Sequence, residues 1–286
     1  MTRIHPTAII DPTAELASTV EVGPWCVVGP NVTLGEHCVL RSHVIIESHT
    51  RLGEGNQLFP FSAIGGTPQD RKYRGEPTWL QLGDGNHIRE HVTMHRGTAN
   101  GGGTTSIGNR NLFMVGVHVA HDCQLEDEIT IANEVMLAGH VHVQTGANIG
   151  GGAAFHHFVT VGSCALVGGF ARCSKDIPPF LIVEGMPAQV RGHNHVQMTR
   201  RGYSPSDIEA VKQVYRKIFR ETGGTVAEKI IELRLEFPNV VPVELLCDSL
   251  IASAKGVHGR ALEAQRADNK LTSHGSGIPI PQDPGS

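Results

Sequence analysis

The stretch FMVGVHVAHDCQLEDEITIANEVMLAGHVHVQTGANI, residues 113–149, places an aliphatic or aromatic residue at every sixth position. The same phase occupies residues 4–64, 82–94 and 107–173. An α-helix repeats every 3.6 residues and cannot keep a six-residue phase on one face. A repeat of this kind is typical of a solenoid, in which each unit packs against its neighbours.

Each six-residue unit is predicted to be a short strand followed by a corner. Glycine often follows the aliphatic residue, where a tight corner favours a residue without a Cβ atom. These glycines are Gly23, Gly29, Gly35, Gly53, Gly83, Gly108, Gly150, Gly162 and Gly168. Three units form a triangular coil of about 18 residues, and strands of successive coils pair in parallel about 4.8 Å apart. The predicted fold class is mainly β, a parallel β-helix of hexapeptide repeats over residues 1–191.

Departures from the six-residue phase divide the chain into parts. Residues 65–81 and 98–106 are predicted loop insertions, and such loops carry function about as often as they are merely tolerated. Prolines in 174–191 are predicted to end strand pairing, and residues 192–260 have the pattern of a small C-terminal α-helical domain. Its predicted N-caps include Ser204 and Thr225. Residues 261–286 are rich in Gly, Pro and Ser, which predicts a disordered tail.

Composition excludes several classes of partner. The net charge of −4 gives no basic footprint for nucleic acid. The sequence has no signal region and no run of 18 apolar residues, so we expect no membrane segment, a mature chain that starts near Met1 and a cytoplasmic location. Cys26, Cys38 and Cys123 stand where alanine occurs in other units, which indicates small, reduced core residues rather than disulfides.

A group of histidines follows from the same arithmetic. The motif HVAHDC, residues 118–123, contains His121 and Asp122. A spacing of 18 residues puts His121, Gly139 and His157 in one column and stacks His140 on Asp122. None of these residues occupies the inward aliphatic position, so we expect them at corners or on the outer face. They predict a catalytic cluster; the alternative is a set of solvated or interface histidines.

Acyl transfer to a sugar hydroxyl is the chemistry that suits this cluster. A hydroxyl is a poor nucleophile until a base removes its proton, and His121 is the candidate base. Asp122 is expected to orient the imidazole, as the acid of a catalytic triad does. The Gly139 N–H is expected to face the developing oxyanion. The candidates for holding substrate are His118, His140 and His156.

A metal site is the competing use of histidine, because imidazole is a common zinc ligand. The sequence contains no HExxH motif, and His37, His43 and His49 fall on successive sides of the prism. We therefore predict no metal centre. A carbonic-anhydrase-like function would require one, and a binding scaffold without catalysis is the other alternative.

Residues 4–260 resemble the UDP-N-acetylglucosamine O-acyltransferases of lipid A biosynthesis. The motifs that carry the resemblance are QDRKYRGEPT, IREHVTMHRGT, HVAHDC, LAGH and GGAAFHHF. The resemblance implies a left-handed coil and a homotrimer with active sites between subunits. It also implies transfer of a 3-hydroxyacyl chain from acyl carrier protein to the 3-hydroxyl of UDP-N-acetylglucosamine, the first step of the pathway, with the thioester as co-substrate and no cofactor.

The same resemblance assigns roles residue by residue. His121 matches the general base and Gly139 the oxyanion glycine. Gly169 matches the position that limits acyl length. Positions that match substrate contacts are Asp70, Lys72, His118, His140, His156, Asn194 and Arg200. Basic residues that are candidates for docking the acidic carrier protein are Arg200, Arg201, Lys212, Arg216 and Lys217.

Two positions depart from the family pattern. His157 stands where glutamine is common, and Val196 where an acidic residue is common. His157 remains a candidate substrate contact, but the departures leave the sugar and acyl preference open. A UDP sugar with a 3-amino group, or the later N-acylation step, is the alternative reaction.

Overall fold

The structure is a computed structural model that describes residues 3–265. Within this range the strands are β1 (Arg3–Ile4), β2 (Ile9–Ile10), β3 (Glu15–Leu16), β4 (Glu21–Val22), β5 (Val27–Val28), β6 (Val32–Leu34), β7 (Val39–Leu40), β8 (Ile45–Ile46), β9 (Thr50–Leu52), β10 (Gln57–Leu58), β11 (Ala63–Gly66), β12 (Trp79–Leu82), β13 (His87–Ile88), β14 (Thr93–His95), β15 (Thr104–Ile107), β16 (Leu112–Phe113), β17 (His118–Val119), β18 (Gln124–Leu125), β19 (Thr130–Ile131), β20 (Met136–Leu137), β21 (His142–Val143), β22 (Asn148–Ile149), β23 (Ala154–Phe155), β24 (Thr160–Val161), β25 (Leu166–Val167), β26 (Arg172–Cys173), β27 (Leu181–Glu184) and β28 (Gln189–His193). The helices are α1 (His195–Arg200), α2 (Pro205–Phe219), α3 (Val226–Glu236) and α4 (Val241–Lys255), with 3-10 helices at Ala99–Gly101 and Gly259–Gln265.

Every third strand belongs to the same sheet, so the chain winds around a triangular prism. Sheet A contains β1, β4, β7, β10, β13, β16, β19, β22, β25, β27 and β28; sheet B contains β2, β5, β8, β11, β14, β17, β20, β23 and β26; sheet C contains β3, β6, β9, β12, β15, β18, β21 and β24. Pairing is parallel with the predicted 18-residue register, as in His118 opposite Met136 and Met136 opposite Ala154. The predicted left-handed parallel β-helix is confirmed.

The interior of the prism is a column of aliphatic side chains at the predicted sixth positions. Buried members from successive strands include Val119, Leu125, Ile131, Leu137, Val143 and Ile149. Burial of each such side chain contributes about 1.5–3 kcal/mol, and this is the force that closes the coils. The six cysteines are buried and reduced, which confirms the interpretation of Cys26, Cys38 and Cys123 as core residues.

From Trp25 onward, most corners place one residue at a positive φ, and that residue is often not glycine. Asp122 has φ +60° and His140 has φ +63°. This conformation costs a residue with a Cβ atom about 1–2 kcal/mol. The paired strands on both sides hold the backbone there, and such strain concentrates at functional positions.

Both loop insertions leave the prism at one edge, the BC edge, which is the line of corners between sheets B and C. The first loop, residues 67–78, joins β11 to β12, and the second loop, residues 96–103, joins β14 to β15. The predicted insertions at 65–81 and 98–106 were misplaced by a few residues, because β11, β12 and β15 extend into them. The first and second loops therefore lie on the same side of the molecule.

The C-terminal part differs from the prediction in two places. Strand pairing does not end in 174–191, because β27 pairs in parallel with β25 and then forms an antiparallel hairpin with β28. The predicted helical domain follows, with Ser204 and Thr225 as N-caps in capping boxes. The 3-10 helix Gly259–Gln265 crosses the predicted boundary at 260. The remainder of the predicted tail, residues 266–286, lies outside the described residues.

None of the helices in the described range is long and apolar enough to cross a membrane.

Candidate active site

His121 and Asp122 lie on the BC edge, in the corner between β17 and β18. The His121 Nδ1 atom is 2.8 Å from Asp122 Oδ2. Only 5% and 4% of their surfaces are exposed, and Gly101 of the second loop packs against the Asp122 carboxylate. An imidazole that donates from Nδ1 to a carboxylate keeps its Nε2 lone pair available to accept a proton.

The Asp122 carboxylate is held by hydrogen bonds from the second loop. The Thr98 N–H donates to Oδ1 over 2.7 Å, and the Thr98 hydroxyl donates to Oδ2 over 2.6 Å. Burial works to raise the pKa of Asp122, but the hydrogen bonds from His121 and Thr98 outweigh it and leave the pKa below its ordinary value of 3.8. Asp122 is therefore a carboxylate at neutral pH.

The predicted column of stacked residues is observed. The His140 N–H donates to the His121 carbonyl over 3.0 Å, and the Phe158 N–H donates to the Gly139 carbonyl over 3.2 Å. His140 Nε2 is 3.6 Å from Asp122 Oδ2. The His140 ring lies parallel to the Phe158 ring, with 4.2 Å between centroids. The imidazole of one coil is thus placed beside the carboxylate of the coil before it.

Gly139 provides both space and a free donor. A Cβ atom at this position would lie 2.6 Å from His121 Cε1, so only glycine lets the imidazole pack here. Within residues 3–265 the Gly139 N–H makes no hydrogen bond. Proline, which has no N–H, occupies the equivalent place in other corners at Pro24 and Pro60, so the coil does not use this amide. It is available to a ligand beside His121.

His118 and His95 form a pair of imidazoles near His121. His118 Nδ1 is 2.8 Å from the Thr93 hydroxyl, and the two rings are 4.9 Å apart at nearly right angles. Burial, followed by the charges of His118 and His121, lowers the pKa of His95 to about 4. Burial and then His121 lower the pKa of His118. Both rings are neutral hydrogen-bonding groups at pH 7.

His95 was not predicted as a site residue. Strand β14 pairs with β17 so that Met94 lies opposite Val119. His95 consequently belongs to the same sheet as His118. Correcting the six-residue phase for the second loop would have identified it.

His156 and His157 occupy the next coil along the BC edge, with ring centroids 5.5 Å apart. Burial and then His156 lower the pKa of His157. Arg260, from the 3-10 helix Gly259–Gln265, places Nη2 3.5 Å from His156 Nε2. Arg260 was not among the predicted site residues, although it is the last residue of the predicted helical domain.

The first loop brings Asp70 and Lys72 to the BC edge. The Lys72 N–H donates to Asp70 Oδ1 over 3.0 Å, which closes a tight turn. Beneath the loop, Arg96 is 5% exposed; its Nη1 lies 3.5 Å from the Thr78 carbonyl, and its guanidinium faces the Tyr73 ring. Arg96 therefore supports the loop that carries the predicted sugar-nucleotide contacts.

Three predicted site residues lie apart from this cluster. Gly169 is exposed on the AB edge, the line of corners between sheets A and B. Asn194 is buried; its side chain accepts from the Gln197 N–H and donates to the Cys164 carbonyl, so it caps α1. Arg200 is exposed at the end of α1. Within one chain these residues do not contact His121.

The candidate basic surface for carrier protein is partly neutralised within the chain. Ion pairs join Arg201 to Glu128, Lys212 to Glu209 and Lys217 to Glu232. For the described residues, no ion pair involves Arg200 or Arg216. These two arginines are the members of the predicted set whose charges remain available.

His121, Asp122 and His140 also lie close enough to hold a metal ion, with ligand atoms within 4.8 Å of one another. A metal would have to compete with hydrogen bonds from His121 and Thr98 for the same carboxylate. The observed bonding suits proton transfer directly, whereas a metal would break the contact between His121 and Asp122. Elemental analysis of the purified protein tests this alternative.

Comparisons with known proteins find similar acyltransferases. A family model described as UDP-N-acetylglucosamine O-acyltransferase, domain 2, matches residues 176–258. An acyl-[acyl-carrier-protein]–UDP-N-acetylglucosamine O-acyltransferase from Verminephrobacter eiseniae is 42% identical over 213 residues, 73% of this chain and 80% of that protein. A Synechocystis protein of the same name is 48% identical over 171 residues, which is 60% of this chain and 62% of that protein.

A solved structure matches over a longer range. The UDP-N-acetylglucosamine O-acyltransferase of Moraxella catarrhalis superimposes with a TM-score of 0.84 at 44% identity, covering 87% of this chain and 97% of that one. Both the prism and the helical domain fall within such a coverage. The likeness therefore extends well beyond the hexapeptide repeat.

Proposed function

This chain belongs to the UDP-N-acetylglucosamine O-acyltransferase family, and on that premise we propose that it transfers a 3-hydroxyacyl chain from acyl carrier protein to the 3-hydroxyl of UDP-N-acetylglucosamine. The reaction is the first step of lipid A biosynthesis. It requires no cofactor, because the thioester of the carrier protein is already activated. The proposal keeps the cytoplasmic location expected from the sequence.

The observation that carries the proposal is the buried pair of His121 and Asp122 beside the free Gly139 N–H. His121 Nε2 removes the proton from the sugar hydroxyl as its oxygen attacks the thioester carbonyl. Asp122 accepts from Nδ1–H and stabilises the imidazolium that forms. The carbonyl oxygen becomes an oxyanion and accepts a hydrogen bond from Gly139.

The second half of the reaction returns the proton. The tetrahedral intermediate collapses, the carbon–sulfur bond breaks, and the ester to the sugar remains. The leaving thiolate of the carrier protein takes the proton from His121 Nε2, which restores neutral imidazole. The enzyme ends each cycle in its starting state.

Two further imidazoles supply binding groups that carry no charge. His95 and His118 are neutral because burial lowers their pKa, so they suit the hydroxyls and amide of a sugar. Asp70 and Lys72 of the first loop are the proposed contacts to the sugar nucleotide. Arg200 is the proposed contact to its phosphates, since a guanidinium bonds phosphate in a bidentate way.

We extend the proposal to a homotrimer, supported by one apolar face. Sheet B and the AB edge expose an apolar band formed by Ile9, Trp25, Ile45, Phe61, Met136 and Phe170. Several large apolar side chains exposed on one face are typical of a surface that contacts another protein. Contact through this band would bring the AB edge of one subunit, with Gly169, towards the BC edge of another, with His121. The acyl-length position would then join the catalytic pair.

The proposal is tested by thiol release from 3-hydroxyacyl carrier proteins of several chain lengths, with UDP-N-acetylglucosamine as acceptor. We expect turnover that requires both substrates and falls at least about 1,000-fold in His121→Ala. The matched control is His37→Ala, an exposed histidine in another coil, which is expected to keep full activity. Equal turnover in His121→Ala would remove the proposed base.

The second candidate reaction uses an amine acceptor. His157 stands where the family pattern has glutamine, which motivates testing the nucleotide with a 3-amino group. A competition assay with both nucleotides decides between them. Preferred acylation of the amine would replace the hydroxyl as the acceptor and leave the role of His121 to be tested again.

A further inference from the structure

We infer that Thr98 is a positioning residue for the catalytic pair, and that the second loop exists to bring it to Asp122. The inference rests on the proposed function and adds a residue to it. Thr98 donates from its N–H to Asp122 Oδ1 over 2.7 Å and from its hydroxyl to Oδ2 over 2.6 Å. Oδ2 also accepts from His121 Nδ1 over 2.8 Å. Both carboxylate oxygens are thereby fixed.

The loop is built around this contact. Thr98 is the N-cap of the 3-10 helix Ala99–Gly101, and its hydroxyl oxygen also accepts from the Gly101 N–H over 3.1 Å. A Cβ atom at Gly101 would collide with the Asp122 carboxylate. Just after the loop, in β15, the Thr105 hydroxyl accepts from the Asp122 N–H over 2.7 Å. Thr98 therefore holds the side chain of Asp122, and Thr105 holds its backbone.

The catalytic pair needs such a support because its two members are adjacent in sequence. Asp122 occupies a corner with φ +60°, and the donors to its carboxylate come from His121 and Thr98. Charge-assisted hydrogen bonds to both oxygens fix the plane of the carboxylate. They also lower the pKa of Asp122, so the group stays charged. Thr98 thereby holds His121 in the tautomer and orientation that expose Nε2.

The test compares Thr98→Val with Thr98→Ser. Valine keeps the shape but removes the hydroxyl, and we expect kcat to fall about 10- to 100-fold with little change in KM for the nucleotide. Serine restores the donor and is expected to keep most of the activity. Thr104→Val is the matched control. Thr104 begins β15, directly after the second loop, and its hydroxyl makes no hydrogen bond within residues 3–265.

Two further readouts separate positioning from folding. Loss of the hydroxyl donor raises the pKa of Asp122, so the NMR titration of the Asp122 carboxyl carbon should move to higher pH in Thr98→Val and not in Thr98→Ser. The downfield proton NMR resonance of His121 Nδ1–H should weaken or shift in Thr98→Val alone. If this variant gives no cooperative melting transition, Gly101→Ala tests the same contact, since its methyl group displaces the carboxylate.

The outcomes distinguish the inference from the proposed function. Wild-type kcat, Asp122 titration and Nδ1–H resonance in Thr98→Val would overturn the inference while the acyltransferase activity stands. A wild-type protein that acylates no acceptor would overturn the function, whereas the NMR comparison would still report on the contact between Thr98 and Asp122.

Discussion

Single residues in this site are distinguished by their protonation. Asp122 is held as an anion by donors from His121 and Thr98, while His95 and His118 are held neutral by burial. Neighbouring groups are thus held in different protonation states, one anionic and two neutral, which is how acid–base sites are commonly assembled. The sole anion of the group lies against the proposed base, and the neutral rings lie where the sugar is expected.

The lowered pKa of the buried His95 side chain predicts how the stability of the fold depends on pH. Its pKa is about 4 in the folded protein against an ordinary value of 6.5, so between these values the unfolded state binds the proton first. The contribution of neutral His95 to the free energy of unfolding is fully present above pH 6.5 and decreases as the pH falls towards 4. His95→Asn should therefore lose less unfolding free energy than the wild type between pH 7 and pH 5.

Urea denaturation at the two pH values provides the measurement. His37→Asn, at an exposed corner, is the control and should follow the wild type. An equal loss of stability in the His95 variant and the wild type would contradict the burial-induced shift.

At the scale of elements, the two loops are attached to the prism in different ways. The second loop is tied directly to Asp122 through Thr98. The first loop rests on Arg96, whose N–H donates to the Gly66 carbonyl and whose guanidinium lies beside Tyr73. A buried guanidinium without a carboxylate partner is costly, and no such partner is found for Arg96 among the described residues. We therefore expect the Arg96 side chain to fix the conformation of the first loop.

Arg96→Met tests that role by removing the charge and the donors while keeping most of the volume. We expect KM for UDP-N-acetylglucosamine to rise about 10-fold with a smaller effect on kcat, because Asp70 and Lys72 lose their fixed position. Hydrogen exchange in residues 67–78 should become faster. Arg110→Met, which removes an exposed pair with Glu128, is the control; unchanged KM and exchange in Arg96→Met would refute the role.

At the scale of the whole molecule, function depends on how the three faces of the prism are used. Sheet C and the edge between sheets C and A contact the helical domain, as in the bond from Gln197 Nε2 to the Gly146 carbonyl. The BC edge carries the catalytic cluster. Sheet B is left with the exposed apolar band, which is the surface expected to meet other subunits.

Ile45→Glu tests the proposed trimer, because Ile45 lies in the apolar band on β8, several coils before His121. A buried glutamate at each interface should shift the protein from trimer to monomer and reduce turnover at low protein concentration. Light scattering coupled to gel filtration measures the mass. Leu235→Glu, exposed on α3, is the control, and a fully active monomer would contradict sites shared between subunits.

The sequence alone predicts much of the candidate site because the coil makes distance a matter of counting. Residues 18 apart become neighbours, so the sequence predicts the contacts of His121 with Gly139 and of Asp122 with His140, and the structure contains both. The helix N-caps Ser204 and Thr225 were predicted for a similar reason, since capping depends on residues three apart in the chain.

The sequence by itself therefore determined the period, the inward core, the corners and the stacking of the histidines, all of which follow from local repetition. Only the tertiary structure decided that Thr98 bonds Asp122, that His95 joins His118 and that Arg260 reaches His156. The two loops and the C-terminal segment break the six-residue period, so counting cannot place their residues. Their positions are set by packing and hydrogen bonds between segments far apart in the chain.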